Sequence, residues 1–460
     1  MAKKKENTLE EKLQEALVPE NQWPYILPEN WCWTRLGKIT NIVGGGTPSS
    51  SKKEYYDNGT IPWLSPADLS GYSDIYISRG QKNITELGLS KSSARLMPKD
   101  TVLLSSRAPI GYVAIASKSI STNQGFKNFL PSDAFYSRFL YWYLKSSKSL
   151  LESYASGTTF LELSGSKASM VEFPLPPLPE QKRIVHRIES LFAKLDEAKE
   201  KIQQVLDGAE MRKAAILHKA FTGELTKNWR KENGISEDSW VEYTLQSVCT
   251  MKITDGTHKT PTYSDKENGV VFLSAKDITS GEINWENTKY ITSELHKELY
   301  SRLAPQINDI LLAKNGTTGV AALVKEDKVF DIYVTLALLR PNVEIVIPEY
   351  LLNIINSPLC KVQFNENLTG IGVPNLHLRD IKDVKIKVPS ISEQEIISDK
   401  VEMLLANEGM VTKNCLKQIE VIDTMKKSIL AKAFRGELGK NNPTEDSALN
   451  LLKEVLQDKS

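Results

Sequence analysis

The sequence predicts an α+β protein made by internal duplication, with two globular β-rich halves separated by two long helices. The helices are expected to pair antiparallel as a coiled coil about a pseudo-twofold axis. Two repeated segments and one constant interval lead to this fold class. PLPPLPEQKRIV at 174–185 recurs, altered, as KVPSISEQEIIS at 387–398, and ILHKAFTGEL at 216–225 recurs as ILAKAFRGEL at 429–438. Both recurrences lie 213 residues on, so the stretch between the two segments has the same length in each copy. Chance similarity does not preserve such a spacing.

The preserved stretch reads as helix. Ile184, Ile188, Leu191, Leu195, Ala198, Ile202, Val205, Ala209 and Ile216 fall on alternating steps of four and three, the seam of a coiled coil. Ile397, Val401, Leu404, Val411, Cys415, Ile422, Met425 and Ile429 repeat that register, while Arg212, Glu408 and Gln418 interrupt it. Gly208 and Gly409 lower the local helix propensity. Each helix follows a proline (Pro179 or Pro389) and ends near a glycine suited to a left-handed cap, Gly223 or Gly436. The 42 residues from Glu180 to Phe221 amount to about 63 Å of helix.

The halves are related more loosely. IPWLSPADLS at 61–70 aligns with VVFLSAKDIT at 270–279, which matches Ser65 with Ser274 and Asp68 with Asp277. KDTVLLSSRAPIG at 99–111 aligns with NDILLAKNGTTG at 308–319. Trp31 and Trp240 open the halves, each with a leucine five residues later, Leu36 or Leu245. Helices are expected over 137–155 and 348–367, and Tyr141, Trp142 and Tyr143 read as core rather than as stacking platforms. The expected order is an N-terminal helical segment (1–30), a first half (31–173), a central helical spacer (174–230), a second half (231–387), a C-terminal spacer (388–440) and a helical tail (441–460).

Composition narrows the function. The chain has 460 residues and a formal net charge of +1, but residues 31–173 carry 16 Lys/Arg against 10 Asp/Glu and residues 240–387 carry 16 against 18. The four cysteines (Cys32, Cys249, Cys360, Cys415) and five histidines are scattered, which gives no support to a zinc site or disulfide framework and fits a reducing cytoplasm. No apolar run reaches the ~18 residues of a membrane span, and MAKKKENTLEEKL is not a signal peptide. The glycine strings GGGTP at 44–48, GTTG at 316–319 and GIG at 370–372 lack the strand-loop-helix context of a nucleotide-binding turn. GxxxxGK[ST], HExxH and EF-hand patterns are absent, so no catalytic, cofactor-binding or metal site is expected and the chain is read as no enzyme by itself. A coiled-coil adaptor that binds proteins and a methyltransferase carrying its own recognition domain are the rival readings.

The two signature segments, their order and their identical spacing resemble the specificity subunit of type I restriction-modification systems, over about 430 of the 460 residues. The second copy departs from the proline-rich pattern, with Ser390 and Ser392 where the first has Pro177 and Pro179. The resemblance implies that each half is a target recognition domain reading one half of a bipartite double-stranded DNA site. It implies that the helices set the unread interval and dock methyltransferase subunits, two in number, with motor-nuclease subunits joining the full assembly. S-adenosylmethionine, Mg and ATP are then expected on those partners.

Candidate DNA-contacting residues are taken from the polar, glycine-bearing loops. In the first half they are Gly46, Thr47, Ser49, Lys52 and Lys53, then Ser105, Ser106 and Arg107, then Thr158, Thr159, Ser166 and Lys167. In the second they are Thr254, Asp255, Thr257, His258 and Lys259, then Lys276, then Lys314, Asn315 and Thr317, then Asn375 and His377.

Overall fold

The structure, a computed structural model, describes residues 8–107, 109–157, 161–366, 368, 375–438 and 441–458. It divides into one unit of residues 1–201 with 418–460 and another of residues 202–417. The division falls inside both long helices, Leu178–Asp207 and Ile391–Phe434.

In the first unit a five-stranded sheet runs in the order Ile42–Gly44, Phe126–Phe129, Val102–Ser106, Ile110–Ala116, Tyr76–Ile77. A three-stranded sheet joins Lys82–Ile84, Ile61–Leu64 and Ser121–Thr122. The second unit repeats the plan with Thr254–Asp255, Leu336–Leu339, Ile310–Ala313 and Ala321–Leu323 in one sheet. Its other sheet is Tyr263–Ser264, Lys289–Ile291, Val270–Leu273, Phe330–Ile332. The central registers match, with Val102 opposite Phe129 in one unit and Ile310 opposite Leu339 in the other. Val102–Ser106 and Ile310–Ala313 are buried along their whole length, so VLL and ILLA read as continuous apolar runs rather than as alternation. Each half is closed by pairing its first strand with its last, Cys32 opposite Leu175 and Val241 opposite Val388.

The aligned Ser and Asp pairs are local stops. The Asp68 carboxylate accepts from the Ser65 amide at 2.7 Å, and Asp277 accepts from Ser274 at 2.8 Å. Each pair forms the capping box of a short 3-10 helix, Pro66–Leu69 or Ala275–Ile278, that ends the preceding strand. Tyr141, Trp142 and Tyr143 are core, none more than 8% exposed.

The repeated Glu-Gln pair explains how each long helix is seated. Gln181 donates to the carbonyls of Ala134 and Pro176 and accepts from the Tyr136 amide. Gln394 makes the same three bonds to Ile345, Pro389 and Ile347. The indoles of Trp31 and Trp240 donate to the buried carboxylates of Glu180 and Glu393. Here the copies diverge: Arg230 pairs with Glu393 at 2.6 Å, whereas Glu180 Oε1 has no hydrogen-bond partner among the described residues. Burial accordingly pushes the Glu180 carboxyl above its usual range, against the Trp31 bond and the Arg183 charge.

The second signature segment seats the other end. Phe434 lies edge-on to Phe139 (5.3 Å) and Tyr143 (5.2 Å), and Phe221 lies edge-on to Tyr350 (5.2 Å). Gly223 and Gly436 close these helices at φ +80° and +77°, a left-handed conformation that disfavours a side chain.

The helices pair antiparallel in each unit. In the first, Lys199 meets Asp423 at 2.9 Å while Asp196 meets Lys426; in the second, Arg212 meets Glu408 while Lys400 meets the Leu225 carbonyl. Two of the polar interruptions therefore answer one another, as Arg212 grips Glu408. The first helix breaks at Gly208 and resumes as Ala209–Phe221, whereas Ile391–Phe434 runs through Gly409. Ile184, Ile188, Ile397, Val401 and Ile422 are buried, and Leu191, Leu195, Ile202, Leu404 and Ile429 are half-buried. The expected seam fails at Val205 (40% exposed) and Val411 (39%). Both flank the Arg212–Glu408 ion pair, which takes the place of apolar contact, and a two-helix pair covers only a narrow stripe. Met425 is likewise exposed.

The difference between the two glutamates is measurable. Glu393→Gln leaves the Arg230 cation buried without its counter-charge and is expected to cost about 3–5 kcal/mol in denaturant unfolding. Glu180→Gln is expected to be neutral or stabilising at pH 7. Because the folded-state pKa is raised, the native Glu180 is favourable when protonated, and its contribution is lost as pH rises above about 4.5. The advantage of Glu180→Gln should therefore grow from pH 4 to pH 7, and an advantage that shrinks over that range contradicts the assignment.

Candidate nucleic-acid interface

Three segments meet at one end of each main sheet. In the first half, the hairpin Val102–Ser106/Ile110–Ala116 shifts register between Leu104 and Ser106. Arg107 bridges to Glu162 just beyond it, and the Leu163 amide donates to the Ser106 carbonyl at 2.9 Å. In the second half, Asn315 bridges to Asn375 and the Leu376 amide donates to the Lys314 carbonyl at 2.9 Å. Ser106 and Lys314 thus hold equivalent places, as do Arg107 and Asn315. The third segment is the glycine loop. A Cβ on Gly45 would lie 1.9 Å from the Asn123 carbonyl oxygen, and one on Gly256 would lie 1.9 Å from that of Ile332. These glycines serve close backbone packing.

That role corrects several expectations. Gly46 is buried; a Cβ there would lie 2.2 Å from the Ala94 nitrogen, and its carbonyl accepts from the Trp63 indole. Ser105 is fully buried and builds the hairpin, donating to Pro109 O and accepting from the Tyr112 amide, both at 2.8 Å. Thr254 lies in the sheet opposite Leu338, and Thr257 is 6% exposed, held by the Ile332 carbonyl. Lys314 is 6% exposed and ion-paired to buried Asp255. Polar, glycine-bearing segments resemble solvent loops in sequence, but here glycine marks a place where two backbones touch.

The remaining candidates lie at the surface. Thr47 contacts Gln124, Ser49 pairs with Ser51, Lys52 lies over the Tyr55 ring at 5.3 Å, and Lys53 begins a short exposed helix. Arg107 is half-buried, and Ser166 and Lys167 are exposed on the first turn of Gly165–Met170. In the second half His258 approaches Asp255 at 3.3 Å, Lys259 pairs with Glu298 at 2.6 Å and Lys276 stands 3.5 Å from Asp277. Asn315 and Asn375 are half-buried, and Thr317 and His377 are exposed. Thr158 and Thr159 lie outside the described residues.

One residue escaped the sequence reading. Lys127, on the strand Phe126–Phe129, is 9% exposed, and its ammonium donates to Ser106 Oγ at 3.2 Å and stands 3.9 Å from Glu162. Burial pushes its pKa down, Glu162 opposes the shift and the nearby Arg107 adds to it. Comparing FKNF at 126–129 with LALL at 336–339, strands in the same register, is the signal that finds it.

The sequence profile described as the type I restriction modification DNA specificity domain matches residues 28–207 and again 237–421. The chain belongs to the type I specificity-subunit family. It is 31% identical over 438 residues to the type I restriction enzyme MjaIX specificity subunit of Methanocaldococcus jannaschii, covering 90% of this chain and 94% of that one. The EcoBI specificity subunit of Escherichia coli is 25% identical over 451 residues, covering 94% and 93%. Among solved structures, a chain from the type I R-M system matches with a TM-score of 0.66 at 19% identity, over 90% of this chain and all of that one. The HsdS subunit from Thermoanaerobacter tengcongensis matches at 0.60 and 18%, over 91% of this chain and all of that one. These likenesses support the same fold. As a specificity subunit the chain is a DNA-recognition component of a larger enzyme and not itself the catalyst. Among the described residues no cluster of three His, Cys, Asp or Glu is placed to hold a metal, and no helix is long and apolar enough to cross a membrane.

The Lys314–Asp255 pair yields a direct check. Lys314→Ala strands a buried carboxylate and is expected to cost about 3–5 kcal/mol of stability. Adding Asp255→Ala should recover a large part of that loss. If Lys314→Ala left the unfolding midpoint unchanged, the lysine would belong among the surface contacts after all.

Proposed function

We propose that each half of this specificity subunit reads its own part of a bipartite double-stranded DNA site, and that the long helices fix the unread interval between the parts. The observation that carries this reading is one framework built twice, with the same strand order and the same helix seating but different side chains at the mouth. Arg107, Ser106 and Lys127 stand in the first where Asn315, Lys314 and Ala337 stand in the second. Phosphate contacts would position the protein, and side chains at base edges would give sequence preference.

The same reading assigns the helices as the docking surface for methyltransferase subunits, two per chain. Met403, Met410, Leu416 and Val421 are 40–57% exposed along Ile391–Phe434, and Met211 is 78% exposed on Ala209–Phe221. Apolar side chains strung along an exposed helix favour a protein partner over bulk water. Motor-nuclease subunits complete the assembly, and S-adenosylmethionine, Mg and ATP act on the partners. The packing role of Gly45 and Gly46 supports that division, because those glycines are not left to cradle a phosphate. The cytoplasm, where the host DNA lies, is the proposed location.

Exchanging residues 31–173 for the corresponding half of a relative tests the reading through the methylome of the host. One part of the methylated site should change while the other part and the interval stay fixed. A change in both parts, or in neither, contradicts independent reading. Inserting four residues at matching levels of both helices should lengthen the interval by about 6 Å, one or two base pairs, with both parts unchanged. The purified chain alone should transfer no methyl groups, and should support transfer only with a methyltransferase partner.

A further inference from the structure

We infer that Lys127 is a DNA-contacting group of the first half, its buried ammonium held ready for an electron-rich acceptor of the duplex. The inference rests on the DNA-reading function proposed above and names a residue and a chemistry within it. The acceptor is a phosphate oxygen or the oxygen and nitrogen edge of a guanine, which offer an ammonium the same chemistry.

The argument begins with the cost of burial. Lysine is almost never this buried unless a close counter-charge accompanies it. Lys127 is 9% exposed, yet the carboxylate facing it, Glu162, is 3.9 Å away and 48% exposed, and Arg107 contributes a second positive charge. Its bond to Ser106 Oγ uses one of three ammonium donors. The second half buries a lysine at the same mouth and neutralises it. There Asp255 stands opposite Ala337, and its carboxylate pairs directly with Lys314.

The first half has glycine where the second has that aspartate. Gly44 stands opposite Lys127 as Asp255 stands opposite Ala337. Directly opposed residues of an antiparallel pair project to the same face, so the side chain missing from Gly44 would lie beside that of Lys127. A Cβ on Gly44 meets nothing within 4 Å. A buried cation whose one acid neighbour is half in solvent therefore lines open space at the end of the sheet, next to Arg107. In the second half the equivalent space is filled by the chain's own carboxylate.

Gly44→Asp supplies the first half with a close acid like that of the second, and Lys127→Met removes the cation. Both are tested in the full chain assembled with its methyltransferase partner, by equilibrium binding to a duplex carrying the methylome-defined site. Single-base variants and two salt concentrations complete the set. Each substitution is expected to lower affinity on the order of tenfold while the thermal midpoint stays level or rises. Gly44→Asp should cost clearly less in the Lys127→Met background than in the wild type, since the part of its effect that acts through the amine is gone and only its own repulsion of phosphate remains. A phosphate partner shows as a uniform loss across sequences with the salt slope reduced by about one, and a guanine partner as a loss confined to one position of one part of the site. Wild-type affinity for Lys127→Met overturns the inference. So does an undiminished effect of Gly44→Asp when Lys127 is already gone. Absence of site-specific binding by the wild-type assembly would instead remove the DNA-reading function itself.

Discussion

The buried amide at the start of each long helix is the constraint on which the presentation of each half depends. A glutamine side chain has one acceptor and two donors to satisfy, and Gln181 and Gln394 spend all three on backbone groups of their own half. Two of those groups in each half belong to the segment leading into the helix Ser137–Ser146 or Pro348–Ile355, and the third is the carbonyl of Pro176 or Pro389 just before the long helix itself. Rotating or sliding the long helix would break two buried bonds to the neighbouring segment at once, and each unsatisfied group costs about 1–3 kcal/mol. The neighbouring glutamate adds an indole bond, so the helix start is held by a second element as well. A recognition surface built on loops keeps a defined aim only if the elements beneath it are locked in this way.

The junctions and helices were legible in the sequence because their residues obey rules of spacing. A seam must step by three and four, a cap needs glycine at positive φ, and a capping box needs its acid three residues after its serine. Ile184, Gly223 and Asp68 each obey one of these rules and sit where it puts them. The mouth was legible only in outline. Glycine-rich polar segments look like solvent loops, yet Gly46 and Thr257 are buried because the chain there crosses its own backbone. Lys314 looked like a free cation because its partner Asp255 lies 59 residues away in sequence, joined only by the sheet. Lys127 was overlooked for the converse reason: a lysine inside a short strand looks like the solvated face of an edge. Its strand lies between two others and so is no edge.

Charge distribution gives the same lesson at larger scale. The first half has a surplus of six positive charges and the second a deficit of two. Such totals describe long-range attraction but not a site. At the mouths the difference becomes local and chemical: one half buries a lysine with a distant, partly exposed acid, and the other buries a lysine with a close one. A neutralised pair can orient its neighbours without attracting phosphate, whereas a buried ammonium held only by a half-exposed acid gains free energy when a closer acceptor arrives.

Comparing the copies shows where duplication left the chain free to diverge. Several positions that match have backbone atoms of the same unit as partners, as Gln181 and Gln394 and Gly45 and Gly256 do. Backbone partners are present whatever the side-chain sequence, so these contacts survive substitution elsewhere. Positions that differ are those whose partners are side chains or empty space, such as Gly44 and Asp255, Ser106 and Lys314, Arg107 and Asn315. A change at one of them alters what the mouth attracts without disturbing the bonds that hold the mouth in place. The fold therefore separates aiming from reading, and a duplicated scaffold arranged in this way can present two different chemistries on one geometry.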